Sequence, residues 1–229
     1  MQKNRKAVIG LSGGMDSAVL LGILLEQGYE VHCCVFTYGS KHNKYENQAA
    51  VEVIQYYQQF YGENVVCHFF DLADTFSHIQ SDLLLTGGEI PEGHYEEDSM
   101  KKTVVPGRNM IFASIMAGVA ESIKAECIAL GVHSGDHAIY PDCRHEFIKA
   151  LDCAIYLSTD KTVQVVTPLV QDDKAGILVK GYALKVEAPI HLTRTCYKDQ
   201  EYACGKCGSC QERIEAFQLI NKKDPITYE

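Results

Sequence analysis

The stretch that decides the fold is Ala7-Val8-Ile9-Gly10-Leu11-Ser12-Gly13-Gly14-Met15-Asp16-Ser17. Its apolar beginning, 7–11, predicts a buried strand, and the apolar residues at helical spacing over 15–25 predict a helix. Between them lies a Ser-Gly-Gly turn. A strand, a glycine-rich turn and a helix N-terminus form an anion site, because backbone N–H groups are unpaired there and the helix dipole favours negative charge. An ordinary tight turn is the alternative interpretation.

Short apolar strands alternate with helices along the rest of the chain. Further strands are predicted at 30–36, 65–70, 127–131 and 163–167, with helices between them. Such alternation is typical of an α/β fold with a doubly wound, mainly parallel sheet, here of five strands, and helices on both faces. Ligands bind such sheets at the carboxyl ends of the strands, where the Ser-Gly-Gly turn and the loop 38–42 are expected to meet.

The segment 71–106 interrupts this pattern. A long irregular insertion in a compact domain is usually a functional lid or a disordered loop, and we favour a partly ordered lid. Asn109, just after it, is the predicted N-cap of a helix that runs to about Lys124. We therefore divide the chain into an α/β domain, 1–190, which carries the insertion, and a small C-terminal segment, 191–229.

Composition narrows the class of protein. The 229 residues carry a formal net charge of −9, and 46% of them are hydrophobic. A sizeable core is therefore expected, whereas electrostatic capture of nucleic acid is not, because no long basic run is present. The apolar run near the N-terminus is too short for a signal peptide or a membrane span. We expect a cytoplasmic protein without a membrane or nucleic-acid partner.

Four of the ten cysteines have the spacing of metal ligands. Cys196, Cys204, Cys207 and Cys210 form a C-x7-C-x2-C-x2-C pattern near the C-terminus. Four thiolates at such spacing suit one structural Zn²⁺ per chain, because a closed Cys₄ site leaves no position for a substrate. An iron–sulfur cluster and a redox dithiol are the alternatives.

Several motifs together carry a resemblance to a known family. The stretch 12–17 is similar to the SGGxDS PP-loop of ATP pyrophosphatases, which split ATP into AMP and pyrophosphate. The whole chain resembles the QueC family of queuosine biosynthesis, whose further motifs match Val105-Pro106-Gly107-Arg108-Asn109, Tyr140-Pro141-Asp142-Cys143-Arg144-His145-Glu146-Phe147, Thr195-Cys196-Tyr197 with Cys204-Gly205-x-Cys207-x-x-Cys210, and Asp224-Pro225-Ile226-Thr227-Tyr228.

Two departures from the family pattern are present. Ser40 stands where members often have Gln, and Ala138-Ile139 precede Tyr140 where many members have Ser-Gly. The loss of that glycine bears on the fine shape of the base pocket, and leaves the class of reaction as it is.

The resemblance implies an adenine nucleotide alpha-hydrolase-like, Rossmann-like fold with a C-terminal zinc-binding arm. It also implies an ATP-dependent ligase that converts 7-carboxy-7-deazaguanine and ammonia into 7-cyano-7-deazaguanine, with Mg²⁺ as a cofactor. The acid and then the amide are adenylated, and AMP and pyrophosphate leave. Members of the family suggest a homodimer.

The resemblance also implies roles for particular residues. The residues implied to bind ATP are Leu11, Ser12, Gly13, Gly14, Met15, Asp16, Ser17, Ala18, Val19, Leu20 and Leu21. Asp16 would orient Mg²⁺ or the loop, or would merely complement the helix dipole. Lys174 would contact phosphate, with a plain surface lysine as the equal alternative.

Substrate residues are implied around Arg108. Its guanidinium suits a phosphate or the substrate carboxylate, whereas a surface arginine at a helix start is the alternative. Tyr140, Asp142 and Arg144 are implied substrate residues: Asp142 would accept hydrogen bonds from the guanine-like edge and Arg144 would neutralise an anion, or they would be a capping aspartate and a solvent arginine. We do not expect Cys143 to be a nucleophile, because adenylation already activates the acid. His42 and His133 are candidates for proton transfer.

Three other functions are weighed against this one. A tRNA-modifying PP-loop enzyme is disfavoured by the acidic charge balance and the lack of an added basic domain. A related amide synthetase that stops at 7-amido-7-deazaguanine has no motif that separates it from a nitrile synthase. A non-catalytic, zinc-bearing nucleotide sensor is disfavoured because the PP-loop is complete.

Overall fold

A five-stranded parallel sheet forms the centre of the computed structural model, which describes residues 5–93, 98–133, 135 and 139–229. The strands are β1 (Lys6–Gly10), β2 (Glu30–Thr37), β3 (Val65–Asp71), β4 (Cys127–Ala129) and β5 (Gln164–Val166). Their order is β3-β2-β1-β4-β5, and every neighbouring pair is parallel. The predicted α/β fold class and strand number are confirmed.

Helices cover both faces of this sheet. They are α1 (Met15–Glu26), α2 (Asn43–Tyr61), α3 (Ala73–Phe76), α4 (Arg108–Ile123), α5 (His145–Ser158), α6 (Lys174–Ala183) and α7 (Gly208–Leu219). The helices α1, α2, α6 and α7 share one core with Ile9 and Val31, and α4 and α5 share a second core with Val8 and Cys34. Strand residues alternate between the two cores, because successive side chains point to opposite faces.

The chain reverses its direction of winding beside β1. It runs from β1 outward to β3 on one side, and returns to β4 and β5 on the other. In open parallel sheets such a switch point leaves a crevice at the carboxyl ends of the strands. The Ser-Gly-Gly turn lies at this crevice, directly after β1.

The insertion between β3 and α4 is folded where the structure describes it. It contains α3 and a 3-10 helix over Asp98–Thr103, whereas 94–97 lie outside the described residues. Its apolar side chains complete the second core: Phe76, Leu83, Leu84, Met100 and Val105 are buried there. Opening and closing of this segment as a lid stays a prediction, as does the division of the chain at residue 190.

Some helix boundaries differ from the prediction. The N-cap of α4 is Gly107, with φ +69°, and not Asn109. The last helix begins at Gly208, inside the cysteine cluster. The helical stretch Ser99–Ile123 is long and apolar enough to cross a membrane by length and composition alone. Its part α4 packs against the sheet through Ala113 and Met116, as core helices do.

Candidate active site

The turn after β1 presents backbone N–H groups to the crevice. Gly14, the N-cap residue of α1, provides no side-chain cap, so the first N–H groups of the helix stay available for an anion. Ser17 Oγ lies 3.2 Å from Ser12 Oγ and donates to the Gly14 carbonyl at 3.0 Å, which holds the turn in shape. Gly13 has φ +72°, and an added Cβ would lie 2.5 Å from the Glu46 carbonyl oxygen. Only glycine fits there.

A cleft of about 230 Å³ opens over this turn. The turn, the N-terminal ends of α2 and α4, the loop after β4 and the C-terminal segment all contribute to its wall. Of the residues predicted to form the site, those that line it are Leu11, Ser12, Gly14, Asp16, Ser17, Arg108, Tyr140 and Lys174.

The rest of the predicted nucleotide segment lies in the core. Met15, Ala18, Val19, Leu20 and Leu21 have no exposed surface and belong to the first core, because α1 is apolar all round and is packed between the sheet and α6. A nucleotide above the turn therefore faces only the first residues of this helix.

Lys174 connects four elements at the base of the cleft. Its Nζ donates to Asp16 Oδ2 at 2.7 Å, lies 3.3 Å from Glu212 Oε2, and is 3.0 Å from His133 Nε2. Burial would raise the pKa of Asp16, but the nearby charge of Lys174 and its hydrogen bond outweigh burial and lower that pKa. Asp16 is therefore ionised at neutral pH. Its Oδ1 is buried without a hydrogen-bond partner among the described residues, so it is an oxygen donor suited to Mg²⁺.

Arg108 places a positive charge in the part of the cleft wall formed by the start of α4. Its Nη1 donates to Tyr38 Oη at 3.3 Å, and no carboxylate among the described residues lies within ion-pairing distance. Burial would lower the pKa of Arg108, but Tyr38 and Tyr140 outweigh that effect and raise it well above its usual value. A half-buried arginine whose charge meets no carboxylate among the described residues suits an anionic ligand.

Asp142 and Arg144 do not reach the cleft. Asp142 Oδ2 accepts a hydrogen bond from the backbone N–H of Asn109 at 3.0 Å and so caps the start of α4. Arg144 is exposed outside the cleft wall. The geometry thus gives Asp142 a capping contact, and its predicted contact with substrate stays a prediction. Cys143 lines the cleft, where its Sγ accepts from Asn109 Nδ2 at 3.3 Å.

The two predicted proton-transfer histidines are both buried. Burial, and then the charge of Arg108, lower the pKa of His42 to about 3, so its ring is neutral and a poor base. His133 Nδ1 accepts from the backbone N–H of Gly135 at 3.1 Å, and its Nε2 contacts Lys174. Both nitrogens of His133 are therefore engaged, and proton transfer by either residue stays a prediction.

The four predicted ligand cysteines come together in one buried cluster. The sulfurs of Cys196, Cys204, Cys207 and Cys210 all lie within 4.8 Å of one another. Backbone N–H groups donate to Sγ of Cys196 and of Cys204 at 3.3–3.4 Å, as they do around metal-bound thiolates. This spacing fits a single tetrahedral ion, whereas a four-iron cluster needs its sulfurs further apart.

The cysteine cluster adjoins the nucleotide turn. The backbone N–H of Arg194 donates to the Gly13 carbonyl at 2.9 Å. Tyr197, next to the ligand Cys196, lines the cleft, and its hydroxyl lies 3.2 Å from that of Tyr140. Arg194 Nε and Thr195 Oγ1 are buried without partners among the described residues, as expected of groups that meet a polar ligand.

Several cleft residues were missed by the sequence prediction. They are Tyr38, Glu46, Arg194 and Glu212, and Thr195 and Tyr197 were noted only as part of a motif. The position of Tyr38 and Glu46 after β2 was a usable signal, because that strand end meets the crevice. Nothing in the local sequence marks Glu212, which reaches Lys174 only through the packing of α7 on α6.

Fold and site together define a class of protein. A parallel sheet whose first strand leads through Ser-Gly-Gly into an uncapped helix N-terminus at a cleft is typical of the PP-loop ATP-utilising enzymes. The fold is similar to that of a solved 4-thiouridine synthetase–RNA complex with bound ATP, at 18% identity and a TM-score of 0.50, with 92% of this chain and 50% of that chain covered.

The chain belongs to the QueC family, since the family model described as "Queuosine biosynthesis protein QueC" matches residues 6–221. It is 43% identical over 225 residues to the 7-cyano-7-deazaguanine synthase of Pseudoalteromonas translucida, covering 98% of this chain and 99% of that protein. The 7-cyano-7-deazaguanine synthase of Caldicellulosiruptor saccharolyticus is 44% identical over 224 residues, covering 98% of this chain and 96% of that protein.

Proposed function

We propose that this protein is an ATP-dependent ligase that makes 7-cyano-7-deazaguanine from 7-carboxy-7-deazaguanine and ammonia. The observation that carries the proposal is the near-full-length similarity to relatives with that activity in their names. The cleft supports it, because an anion-binding turn and a guanidinium that meets no carboxylate among the described residues line one space, as a reaction between ATP and a carboxylic acid requires.

The first activation solves a chemical problem. A carboxylate is a poor electrophile, because its negative charge repels nucleophiles. Its oxygen attacks the α-phosphorus of ATP, pyrophosphate leaves, and the acyl adenylate forms. Ammonia then adds to the acyl carbon, and AMP departs with the original carboxylate oxygen, which leaves the amide. Positioning and charge stabilisation supply most of the acceleration.

The second activation repeats this chemistry on the amide. The amide oxygen attacks a second ATP and pyrophosphate leaves again. AMP then leaves with that oxygen. Over the activation and this elimination the amide nitrogen loses both of its protons, which yields the nitrile. Each nitrile therefore consumes two ATP and releases two AMP and two pyrophosphates.

The nucleotide turn and Lys174 are proposed to hold the phosphates. Ser12, Gly13, Gly14 and Ser17 would bind pyrophosphate through N–H and hydroxyl donors at the start of α1. Lys174 would offset the charge that builds up on the leaving pyrophosphate. Asp16 would bind Mg²⁺ through its unpartnered Oδ1, and Mg²⁺ would neutralise phosphate oxygens.

Arg108 is proposed to bind the substrate carboxylate. It is a guanidinium in the cleft wall, and its half-buried charge lies among tyrosines. Tyr140, whose hydroxyl lies 3.2 Å from that of Tyr197, would pack against the substrate. The four cysteines are proposed to hold one structural Zn²⁺ that fixes this wall.

The assembly and location of the protein are proposed from the family alone. We infer a homodimer in the cytoplasm that binds small molecules and no nucleic acid directly. Sedimentation of the purified protein tests the dimer, and a titration with tRNA tests the last point. Saturable binding of tRNA at physiological salt would contradict it.

Product analysis tests the proposed function. Purified, zinc-loaded protein is incubated with Mg-ATP, ammonium and 7-carboxy-7-deazaguanine, and the products are identified by mass spectrometry. We expect the nitrile, with two AMP formed for each. Accumulation of the amide with one AMP would instead identify an amide synthetase, and AMP formation that does not depend on the acid would overturn the proposal.

A further inference from the structure

Glu46 is a buried carboxylate in the cleft with no role so far. It lies in the first turn of α2, beyond the carboxyl end of β2, and it lines the same space as the nucleotide turn and Arg108. Its side chain is only 13% exposed. Keeping a carboxylate in such a position costs desolvation energy, so a binding partner for it is expected.

One oxygen of Glu46 is held by the protein and the other is free. Oε2 lies 3.3 Å from His42 Nε2 and accepts from Ser40 Oγ at 3.5 Å. Oε1 has no hydrogen-bond partner among the residues that the structure describes, and it is not among the fully buried orphan atoms. The contacts of Oε2 therefore fix the orientation of the accessible acceptor Oε1.

The cleft is lined by a cation and an anion whose charges interact, Arg108 and Glu46. Arg108 suits the carboxylate of the substrate. The opposite edge of a 7-deazaguanine ring carries an N1–H and a 2-amino group, which are two adjacent donors. A free carboxylate oxygen such as Oε1 can accept from both donors, because it has two lone pairs and a carboxylate carries no donor of its own.

Other acidic side chains of the cleft have other contacts. Asp142 caps α4 outside the cleft wall, and Asp16 and Glu212 both bind Lys174 at the phosphate end. Among the described lining residues, Glu46 is therefore the carboxylate left for the base.

We propose that Glu46 accepts hydrogen bonds from the N1–H and the 2-amino group of the substrate, and thereby selects a guanine-type base. This inference rests on the proposed function. Ser40 supports this carboxylate, because its short side chain donates to Oε2 of Glu46 and leaves Oε1 open. The family often has a longer glutamine at this position, so the departure at Ser40 alters the support of the selecting carboxylate.

A substrate-analogue cycle tests the proposal. Wild type and Glu46→Gln are each assayed with 7-carboxy-7-deazaguanine and with 7-carboxy-7-deazahypoxanthine, which lacks only the 2-amino group. In wild type we expect loss of that group to lower kcat/KM on the order of 10- to 100-fold, the usual effect of losing a hydrogen bond to a charged group. In Glu46→Gln the two substrates should differ only about 2- to 3-fold, as for a neutral hydrogen bond.

Controls separate binding from other roles. Glu52→Gln, on the same helix and hydrogen-bonded to Gln48 outside the cleft, should discriminate like wild type. Glu46→Asp keeps the charge and should retain part of the discrimination. The KM for ATP should stay unchanged in all variants, and thermal melting confirms that each is folded.

Other results would overturn the inference. A folded Glu46→Gln that discriminates against the des-amino analogue as strongly as wild type would exclude a contact with the 2-amino group. A drop in kcat alone, at saturating substrate and with discrimination kept, would assign Glu46 to proton transfer instead. Absence of activity in wild type would refute the proposed function itself. The analogue comparison tests only the role of Glu46, so the two failures are distinguishable.

Discussion

Glu46 carries its charge where the fold disfavours it. Burial raises the pKa of Glu46 to about 7, and Arg108 offsets this only in part. The groups that face it are Ser40, His42, Tyr38 and Arg108; the His42 ring is neutral because its pKa is lowered to about 3, and burial raises the pKa of Tyr38 to about 12. A buried residue whose charge lowers the stability of the folded protein is typical of a functional site.

Glu46→Gln should therefore stabilise the ligand-free protein in a pH-dependent way. An acid with a higher pKa in the folded than in the unfolded chain stabilises the folded state at low pH, and this contribution is lost as pH rises from about 4.5 to about 7. At pH 8 we expect the free energy of unfolding of the variant to be about 1–3 kcal/mol higher than that of wild type. At pH 5 we expect the two values to be nearly equal. Urea unfolding at both pH values measures this; an equal gain at both would contradict it, and Glu52→Gln should show no such trend.

Lys174 supports stability as well as chemistry. Lys174→Met would leave Asp16 and Glu212 as uncompensated acids around one point, and breaking a buried pair in this way costs about 3–5 kcal/mol. Chemical unfolding at neutral pH measures the loss. The matched control is Lys180→Met on the same helix, where the ion pair with Asp172 is 45% exposed on the lysine side and should contribute less than about 1 kcal/mol. Similar losses in both variants would argue against a buried role for Lys174.

At the scale of elements, the start of α4 depends on a distant residue. The helix has no local side-chain cap, and Asp142 provides one from outside by accepting the N–H of Asn109. Asp142→Ala should lower the free energy of unfolding by about 1–2 kcal/mol, as for the loss of other caps. Because Arg108 begins this helix, we also expect a higher KM for the substrate.

Asp142→Asn distinguishes the cap from a contact with substrate. Asparagine keeps the capping oxygen, so we expect stability and KM near those of wild type. A variant of unchanged stability with a strongly raised KM would restore the substrate role that the sequence predicted for Asp142. Steady-state kinetics beside thermal melting decides between the two.

The order of elements was predictable, and the helix ends were less so. Hydrophobic periodicity located all five strands, because burial on both faces leaves continuous apolar runs. Asn109 was a plausible cap by type, yet the chain turns at Gly107 because glycine accepts its positive φ and Asp142 provides the acceptor. Such a cap joins residues far apart in the chain, so no local pattern indicates it.

At the scale of the whole molecule, the cysteine cluster and the nucleotide turn form one structure. Residues near the cluster contact the turn and line the cleft, so a metal that fixes the cluster also fixes that wall. Cys207→Ala should abolish bound zinc and weaken ATP binding on the order of 10-fold, about the effect of losing one good hydrogen bond. Metal analysis and nucleotide titration measure the two effects, and limited proteolysis should then cut within 191–229.

Cys153→Ala is the matched control for this prediction. Cys153 is an exposed cysteine on α5, away from the cluster. Its removal should change neither zinc content nor ATP affinity. Tight nucleotide binding by a zinc-free Cys207→Ala would show that the two regions are independent.

The site as a whole was only partly predictable from sequence. Motifs with local spacing, such as the turn at 12–17 and the cysteines, could be found because their geometry is set within a few residues. The group formed by Asp16, His133, Lys174 and Glu212 joins four separate elements, and only tertiary packing brings them together.

The hydrogen bond from Arg194 to Gly13 has a consequence for biosynthesis. A ribosome makes Gly13 long before Arg194, and N-terminal parts of a chain begin to fold during synthesis. The nucleotide turn therefore lacks this hydrogen bond until the cysteines have been synthesised and have bound the metal. Polypeptides that end before Arg194 consequently lack this support of the nucleotide turn.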